Sequence, residues 1–399
     1  MNEARLAAAA KMLLREEAGR ANIDPFIVMD VMQKAQDLEA SGKQVIHMEV
    51  GQPATGAPRA ALERVKAALD SDPLGYTMAL GIDPLRERNA HHYKDLYGVD
   101  ISADRVVVTT GSSGAFLLSF LGLFNAGDKV ALPAPGYPCY RNILSAVDVE
   151  TVPMVTGPDT RWMPTLQQVE TAATQDKVAG VLIASPSNPT GTMFEPARLK
   201  EIALACRRLG IWFISDEIYD GLAWGQEQAS ALQYSDEAIV INSFSKYFSM
   251  TGWRVGWMIV PEGLARTIQR LAQNIFISAP TVSQVAALGA FDGMDELEQN
   301  KRVYATNREL LLRELPKAGF TDIVPADGAF YLYADVSRFT NDSGAFTWTM
   351  LDETGVAVTP GLDFDPERGS RYIRFSYAGS TDDMAEGVHR LQNWQRLQA

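Results

Sequence analysis

Residues 238–260 read AIVINSFSKYFSMTGWRVGWMIV. Two apolar runs, AIVINSF (238–244) and RVGWMIV (254–260), enclose a turn of serines and aromatics that holds one lysine, Lys246. Neither run alternates apolar with polar residues. A strand that is apolar on both faces is buried on both faces, the habit of a mostly parallel sheet covered by helices. Four more runs read the same way: RVVVTT (105–110), KVALP (129–133), AGVLIAS (179–185) and IWFISDE (211–217). Helical patterns lie between them. Pro196 can open ARLKEIALACRRLG, which Gly210 can close, and Asp83-Pro84 opens LRERNAHHYKDLYG with Gly98 as its stop. Strands alternating with helices predict an α/β unit over about residues 48–285.

The remainder is patterned differently. A long helical pattern covers 296–315, followed by GAFYLYADV (328–336), VAVTPG (356–361), RYIRFSYA (371–378) and a last helix near 382–396. This predicts a smaller α+β unit, with the helical N-terminal segment packed on one of the two units. The first twenty residues, MNEARLAAAAKMLLREEAGR, are charged and amphipathic and lack the order of a signal peptide. No window holds the roughly 18 apolar residues of a membrane span, so a cytoplasmic protein is expected. The net charge of −13 speaks against nucleic acid or an anionic membrane as a partner. Cys139 and Cys206 are far apart, and His47, His91, His92 and His389 lack ligand spacing. No disulfide framework and no metal site is expected from them.

Open α/β sheets bind ligands at the carboxyl ends of their strands. After the strand at 105–110 come Gly111, Ser112, Ser113 and Gly114, then a helical run. Free N–H groups and the helix dipole make such a turn an anion site, although it also serves simply to start a helix. Asp216 ends the run at 211–217, with Tyr219 three residues on. A buried carboxylate there needs a cationic or N–H partner, or caps a helix. Asn188 lies in the rigid turn SPSNPTG (185–191), either as a fixed donor–acceptor pair or as an ordinary turn residue. Lys246 follows the run at 238–244. Desolvation would lower its pKa and make it a nucleophile and base, unless it snorkels to solvent. Ser243, Ser245 and Arg254 flank it, and all three can bind a phosphate. One explanation covers all four strand ends. Pyridoxal phosphate needs a lysine for its Schiff base, an anion site for its phosphate and a carboxylate for its ring nitrogen.

The chain also resembles a known family, the class I/II aminotransferases of pyridoxal-phosphate fold type I. The resemblance is carried, in order, by MEVGQP (48–53), GYTMALGIDPLRE (75–87), TTGSSGA (109–115), PAPGYPCY (133–140), SNPTG (187–191), SDEIYDGL (215–222), SFSKYFSMTGWRVG (243–256), DGAFYLY (327–333) and YIRFSYA (372–378). It implies a large domain, residues 48–285, with a mostly parallel seven-stranded sheet flanked by helices. It implies a smaller α+β domain from residues 1–47 and 286–399. The implied activity is ping-pong transfer of an amino group between an L-amino acid and a 2-oxo acid. Eliminations such as carbon–sulfur β-lysis, and a non-catalytic regulatory or binding role, are the alternatives the fold also hosts.

The resemblance carries roles residue by residue. Lys246 resembles the Schiff-base lysine that also shuttles a proton, and Asp216 the partner of the pyridine N–H. Tyr219 and Asn188 resemble the partners of the ring hydroxyl oxygen, and Tyr137 the aromatic that stacks on the ring. Gly111, Ser112, Ser113, Ser243, Ser245 and Arg254 look like the phosphate cup. Tyr76 is similar to a tyrosine that reaches the phosphate from a neighbouring subunit, which implies a homodimer. Arg374 resembles the arginine that forks onto the substrate α-carboxylate, a task for planar bidentate geometry. Gly51 lies where a backbone N–H meets the same carboxylate. Ser113 stands where one branch has a lysine for a second substrate carboxylate. A neutral or aromatic donor is therefore expected, rather than a strictly dicarboxylic one. ATGAP after GQP, and Asp365 where glycine is frequent, depart from the family pattern near the expected substrate entrance.

Overall fold

The structure, a computed structural model, describes residues 18–397. Most of the amphipathic N-terminal pattern lies outside them. The described strands, in chain order, are β1 (Ile46–His47), β2 (Val106–Thr109), β3 (Lys129–Ala134), β4 (Glu150–Val155), β5 (Gly180–Ala184), β6 (Trp212–Asp216), β7 (Ile239–Ser243), β8 (Gly256–Ile259), β9 (Tyr331–Asp335), β10 (Val356–Ala357), β11 (Thr359–Pro360) and β12 (Tyr372–Ser376). The strands β2 to β8 form one seven-stranded sheet of order β2-β8-β7-β6-β5-β3-β4. Only β8 runs antiparallel to its neighbours, β2 and β7.

All six apolar runs are strands of this sheet. Successive residues point to opposite faces, and both faces are covered. Val107, Leu182, Ile214, Ile241 and Met258 pack with Phe116, Phe120 and Ile268 of the helices Gly111–Leu123 and Ala265–Ile275. Val106, Val181, Phe213, Val240 and Trp257 pack on the other side with Leu85, Tyr93 and Ile202 of the helices Asp83–Tyr97 and Pro196–Leu209. The seventh strand, β4, carries no such signal. It is one of the two edge strands, pairs with β3, and leaves most of its side chains in solvent. Its Pro153 is tolerated because an edge strand has one unpaired side.

The helices end where glycine permits. Gly98 and Gly210 take left-handed conformations after Tyr97 and Leu209, which frees the last carbonyls to be capped. Strands β11, β12 and β9 form a small antiparallel sheet, and β1 pairs in parallel with β10. The run VAVTPG is thus split between two sheets. The helix Ile27–Ala40 lays Val31 and Ala35 against Leu351 and Ala357. No helix among the described residues is long and apolar enough to cross a membrane.

Candidate active site

Strands β2, β5, β6 and β7 run the same way, so their carboxyl ends share one edge of the sheet. Because β8 is reversed, it starts at that edge. Gly256 pairs with both Thr109 and Ser243, and Arg254, just ahead of it, arrives beside the start of the helix Gly111–Leu123. A cleft opens there, with a volume of about 200 Å³. Gly51, Ser112, Ser113, Tyr137, Asn188, Asp216, Tyr219, Ser245, Lys246, Arg254 and Arg374 all line it.

Two glycines let the pieces meet. A side chain on Gly256 would sit 2.8 Å from the Asn242 carbonyl and 3.1 Å from the Ser112 nitrogen. Gly111 has φ +65°, and a Cβ on it would run into the Arg254 guanidinium. Gly111 therefore stands behind the cup that Ser112, Ser113 and Arg254 form.

Lys246 Nζ donates to the Gly51 carbonyl and lies 5.7 Å from the centre of the Tyr219 ring. Burial pushes its pKa from 10.5 down to about 7; Arg374 and Arg254 add to the fall, and Asp216 opposes it. Asp216 is buried and accepts hydrogen bonds from the Tyr140 hydroxyl and, at 3.1 Å, from the Ile218 N–H. Burial raises its carboxyl to about 6, while the Tyr140 and Ile218 donors and Lys246 hold it down.

Arg374 is buried in β12 between two aromatic faces, 4.3 Å from the Tyr331 ring centre and 4.7 Å from that of Phe364. Its guanidinium donates to Asn188 Oδ1 at 2.8 Å, to Thr359 Oγ1 at 3.2 Å and to the Glu49 carbonyl. Its Nε is buried without a partner among the described residues. The Tyr219 and Tyr331 hydroxyls share a 2.7 Å hydrogen bond.

Besides Gly111, two expected site residues do not line the cleft. Ser243 is buried behind the cleft, its hydroxyl 2.9 Å from Ser245 Oγ and 3.2 Å from the Val255 carbonyl. It shapes the turn that carries Lys246. Tyr76 is 85% exposed and does not line the cleft of its own chain. Other residues came without a sequence assignment. Tyr140 and Tyr331 sit inside motifs already quoted, and Tyr140 lies three residues after Tyr137 on the helix Pro138–Ala146, the spacing of one helix face. Phe26, Val28 and Met29 also line the cleft. Nothing in their local sequence points there.

The cleft holds three cations, Lys246, Arg254 and Arg374, and one carboxylate, Asp216. None of the three forms an ion pair with a carboxylate among the described residues. In a chain of net charge −13, that concentration of positive charge is built for ligands with more than one anionic group. A serine-lined helix start, a lysine easily stripped of its proton and a carboxylate facing the same space fit an aldehyde cofactor that carries a phosphate. The fold and site thus define a cofactor-dependent enzyme of amino and carbonyl chemistry.

Comparison with known proteins gives the family. Residues 43–391 match aminotransferase class I and II. The chain is 47% identical over 379 residues to the valine–pyruvate aminotransferase of Mycobacterium tuberculosis, covering 94% of this chain and 97% of that one. A crystal structure of an aminotransferase from the same organism superposes with a TM-score of 0.93 at 46% identity, over 95% of this chain and 99% of the other. The aspartate aminotransferase of Thermus thermophilus with maleate gives 0.89 at 27% identity, over 94% and 98%. The chain belongs to the class I and II aminotransferases, which are pyridoxal-phosphate enzymes.

Proposed function

We propose that the protein transfers the amino group of a neutral, apolar L-amino acid to a 2-oxo acid such as pyruvate, in two half-reactions at one site. One observation carries the choice of donor. The cleft wall contributed by Phe26, Val28, Met29 and Val50 is apolar, and the three lining cations already have uses. Lys246 handles the amine, Arg254 serves the phosphate cup and Arg374 receives the α-carboxylate. Among the described residues, no lining cation is left for a second substrate carboxylate. The Mycobacterium tuberculosis relative named for valine and pyruvate supports the same reading.

Pyridoxal phosphate, when bound, supplies the carbonyl that accepts the amino group and a ring that stabilises negative charge at the substrate Cα. The residues of this chain do the rest. Lys246 Nζ, neutral above about pH 7, would take the proton from the substrate Cα and hold it for return. Asp216 stays charged at neutral pH, helped by the donors Tyr140 and the Ile218 N–H, and would keep a proton on the ring nitrogen. Ser112, Ser113, Ser245 and Arg254 would hold the phosphate. Tyr219 and Asn188 would meet the ring hydroxyl, Tyr137 would lie against the ring, and Arg374 with the Gly51 N–H would hold the α-carboxylate.

The reading extends to assembly. Residues 48–285 form the cofactor-binding unit and 1–47 with 286–399 the smaller one, a division supported by the pairing of Ile46–His47 with Val356–Ala357. Two copies form a cytoplasmic homodimer in which Tyr76 of each reaches the phosphate of the other. In support, Tyr76 and Met78 are 85% and 68% exposed in the single chain.

The experiment is a donor series with pyruvate and with 2-oxoglutarate. L-valine, L-alanine and L-phenylalanine should exceed L-aspartate in kcat/KM by at least about tenfold, the worth of one unpaired carboxylate in an apolar pocket. Preference for aspartate would overturn the donor reading. Ammonia and pyruvate released from an S-substituted L-cysteine, with no amino group passed to the 2-oxo acid, would move the enzyme to the eliminations.

A further inference from the structure

The apolar wall of the cleft comes from the far N-terminal side of the chain, and one buried side chain anchors it. Phe26, Val28 and Met29 sit at and just before the first turn of the helix Ile27–Ala40. The N–H groups of Ile27 and Val28 donate at 3.0 and 3.3 Å to the two carboxylate oxygens of Asp363. Asp363 is fully buried in the turn Gly361–Asp363, between β11 and β12. Its backbone carbonyl is held in turn by Arg141 at 2.9 Å. A carboxylate suits a helix start, because it accepts from free N–H donors and meets the positive end of the dipole. Here that cap joins segments more than three hundred residues apart.

The anchor is also tied to the carboxylate site. Pro360 and Thr359, just before the turn, pair with Ile373 and Arg374. The strand pair that carries Arg374 therefore carries Asp363 as well. At the other end of the segment, Phe26 meets Tyr137 edge-on at 5.8 Å, and Asn142 donates to the Asp24 carbonyl at 3.3 Å. The distance from Arg374 to the apolar wall is thus set through the Asp363 carboxylate.

We propose that Asp363 is a positioning residue that fixes Phe26–Met29 as the wall of the donor side-chain pocket and so sets the preference for branched over small donors. The proposal rests on the neutral-donor reading above. A branched side chain reaches the wall and gains from its position, whereas a methyl group does not.

Three variants test it. Asp363→Ala removes the anchor. Asp363→Asn keeps an oxygen acceptor for one N–H. Ile27→Pro removes one donor and sets the ring Cδ against the Asp363 carboxylate, at a first-turn position where the helix itself tolerates proline. Asp363→Ala and Ile27→Pro should raise KM for L-valine about tenfold, the scale of a lost cap, with kcat and the KM for L-alanine changed less than about twofold. Asp363→Asn should fall between them and the wild type. Two readouts do not depend on turnover. Isovalerate, an unreactive branched carboxylate, should bind about tenfold more weakly to Asp363→Ala, and acetate almost unchanged. Hydrogen exchange at Ile27 and Val28 should accelerate. Equal weakening of isovalerate and acetate, or no weakening of either, would overturn the proposal. If the wild type prefers aspartate, the donor reading falls, and the contrast between isovalerate and acetate still decides the role of Asp363.

Discussion

At the scale of single residues, the chemistry is a matter of which groups lose their water. Lys246 is surrounded by Tyr219, Phe330 and two arginines. Desolvation and like charge both disfavour its ammonium, so its amine is half free near pH 7 instead of near 10.5. Acetylation of Lys246 in the cofactor-free protein, read by peptide mass, should be half-maximal near pH 7. In Arg374→Gln the midpoint should move up, because one repelling charge is gone. Asp216 has the opposite problem, being a buried carboxylate that must stay ionised. In Tyr140→Phe it loses a donor to its charged form. That should cost about 2 kcal/mol, roughly thirtyfold in kcat/KM, and move the acidic limb of the pH–rate profile to higher pH. Lys246 and Asp216 were legible in the sequence because a charged residue at the end of an apolar run is conspicuous, whereas Arg374, in the middle of YIRFS, was assigned only through the family resemblance. Tyr140 was not assigned, because a tyrosine within a helix start reads equally well as core.

At the scale of elements, the sheet was legible wherever both faces are buried, because such strands cannot alternate. The edge strand β4 escaped, since exposure removes the apolar run and Pro153 argues against a strand. Helix ends were marked by Gly98 and Gly210. The Gly111 turn is where element geometry and chemistry coincide. Its φ of +65° turns the chain from β2 into the helix, and its missing side chain makes room for Arg254. Gly111→Ala should therefore cost about 1 kcal/mol in backbone strain alone. It should also weaken retention of pyridoxal phosphate about tenfold by displacing Arg254, measured by dialysis against cofactor-free buffer. The N-terminal wall had no sequence signal. Its role depends on Asp363, and a cap supplied from the other end of the chain leaves no local pattern to read.

At the scale of the whole molecule, an acidic chain gathers three basic side chains, none in an ion pair among the described residues, into one cleft where two sheets and an N-terminal helix meet. The proposed homodimer would complete that cleft with Tyr76. Neither Lys246→Ala nor Tyr76→Ala alone should support normal turnover. Mixed after mild dissociation, they should recover roughly a quarter of wild-type activity, because half of the dimers hold one intact site. No recovery would mean that each site is built from one chain. The role of Lys246 can be trapped chemically. Borohydride reduction of the purified protein with pyridoxal phosphate, followed by peptide mapping, should place the cofactor's mass on the peptide containing Lys246. Prior treatment with L-valine in the absence of a 2-oxo acid should abolish that label, because the amino group has moved to the cofactor and freed the lysine. A label on another lysine, or one that persists through L-valine, would contradict the account.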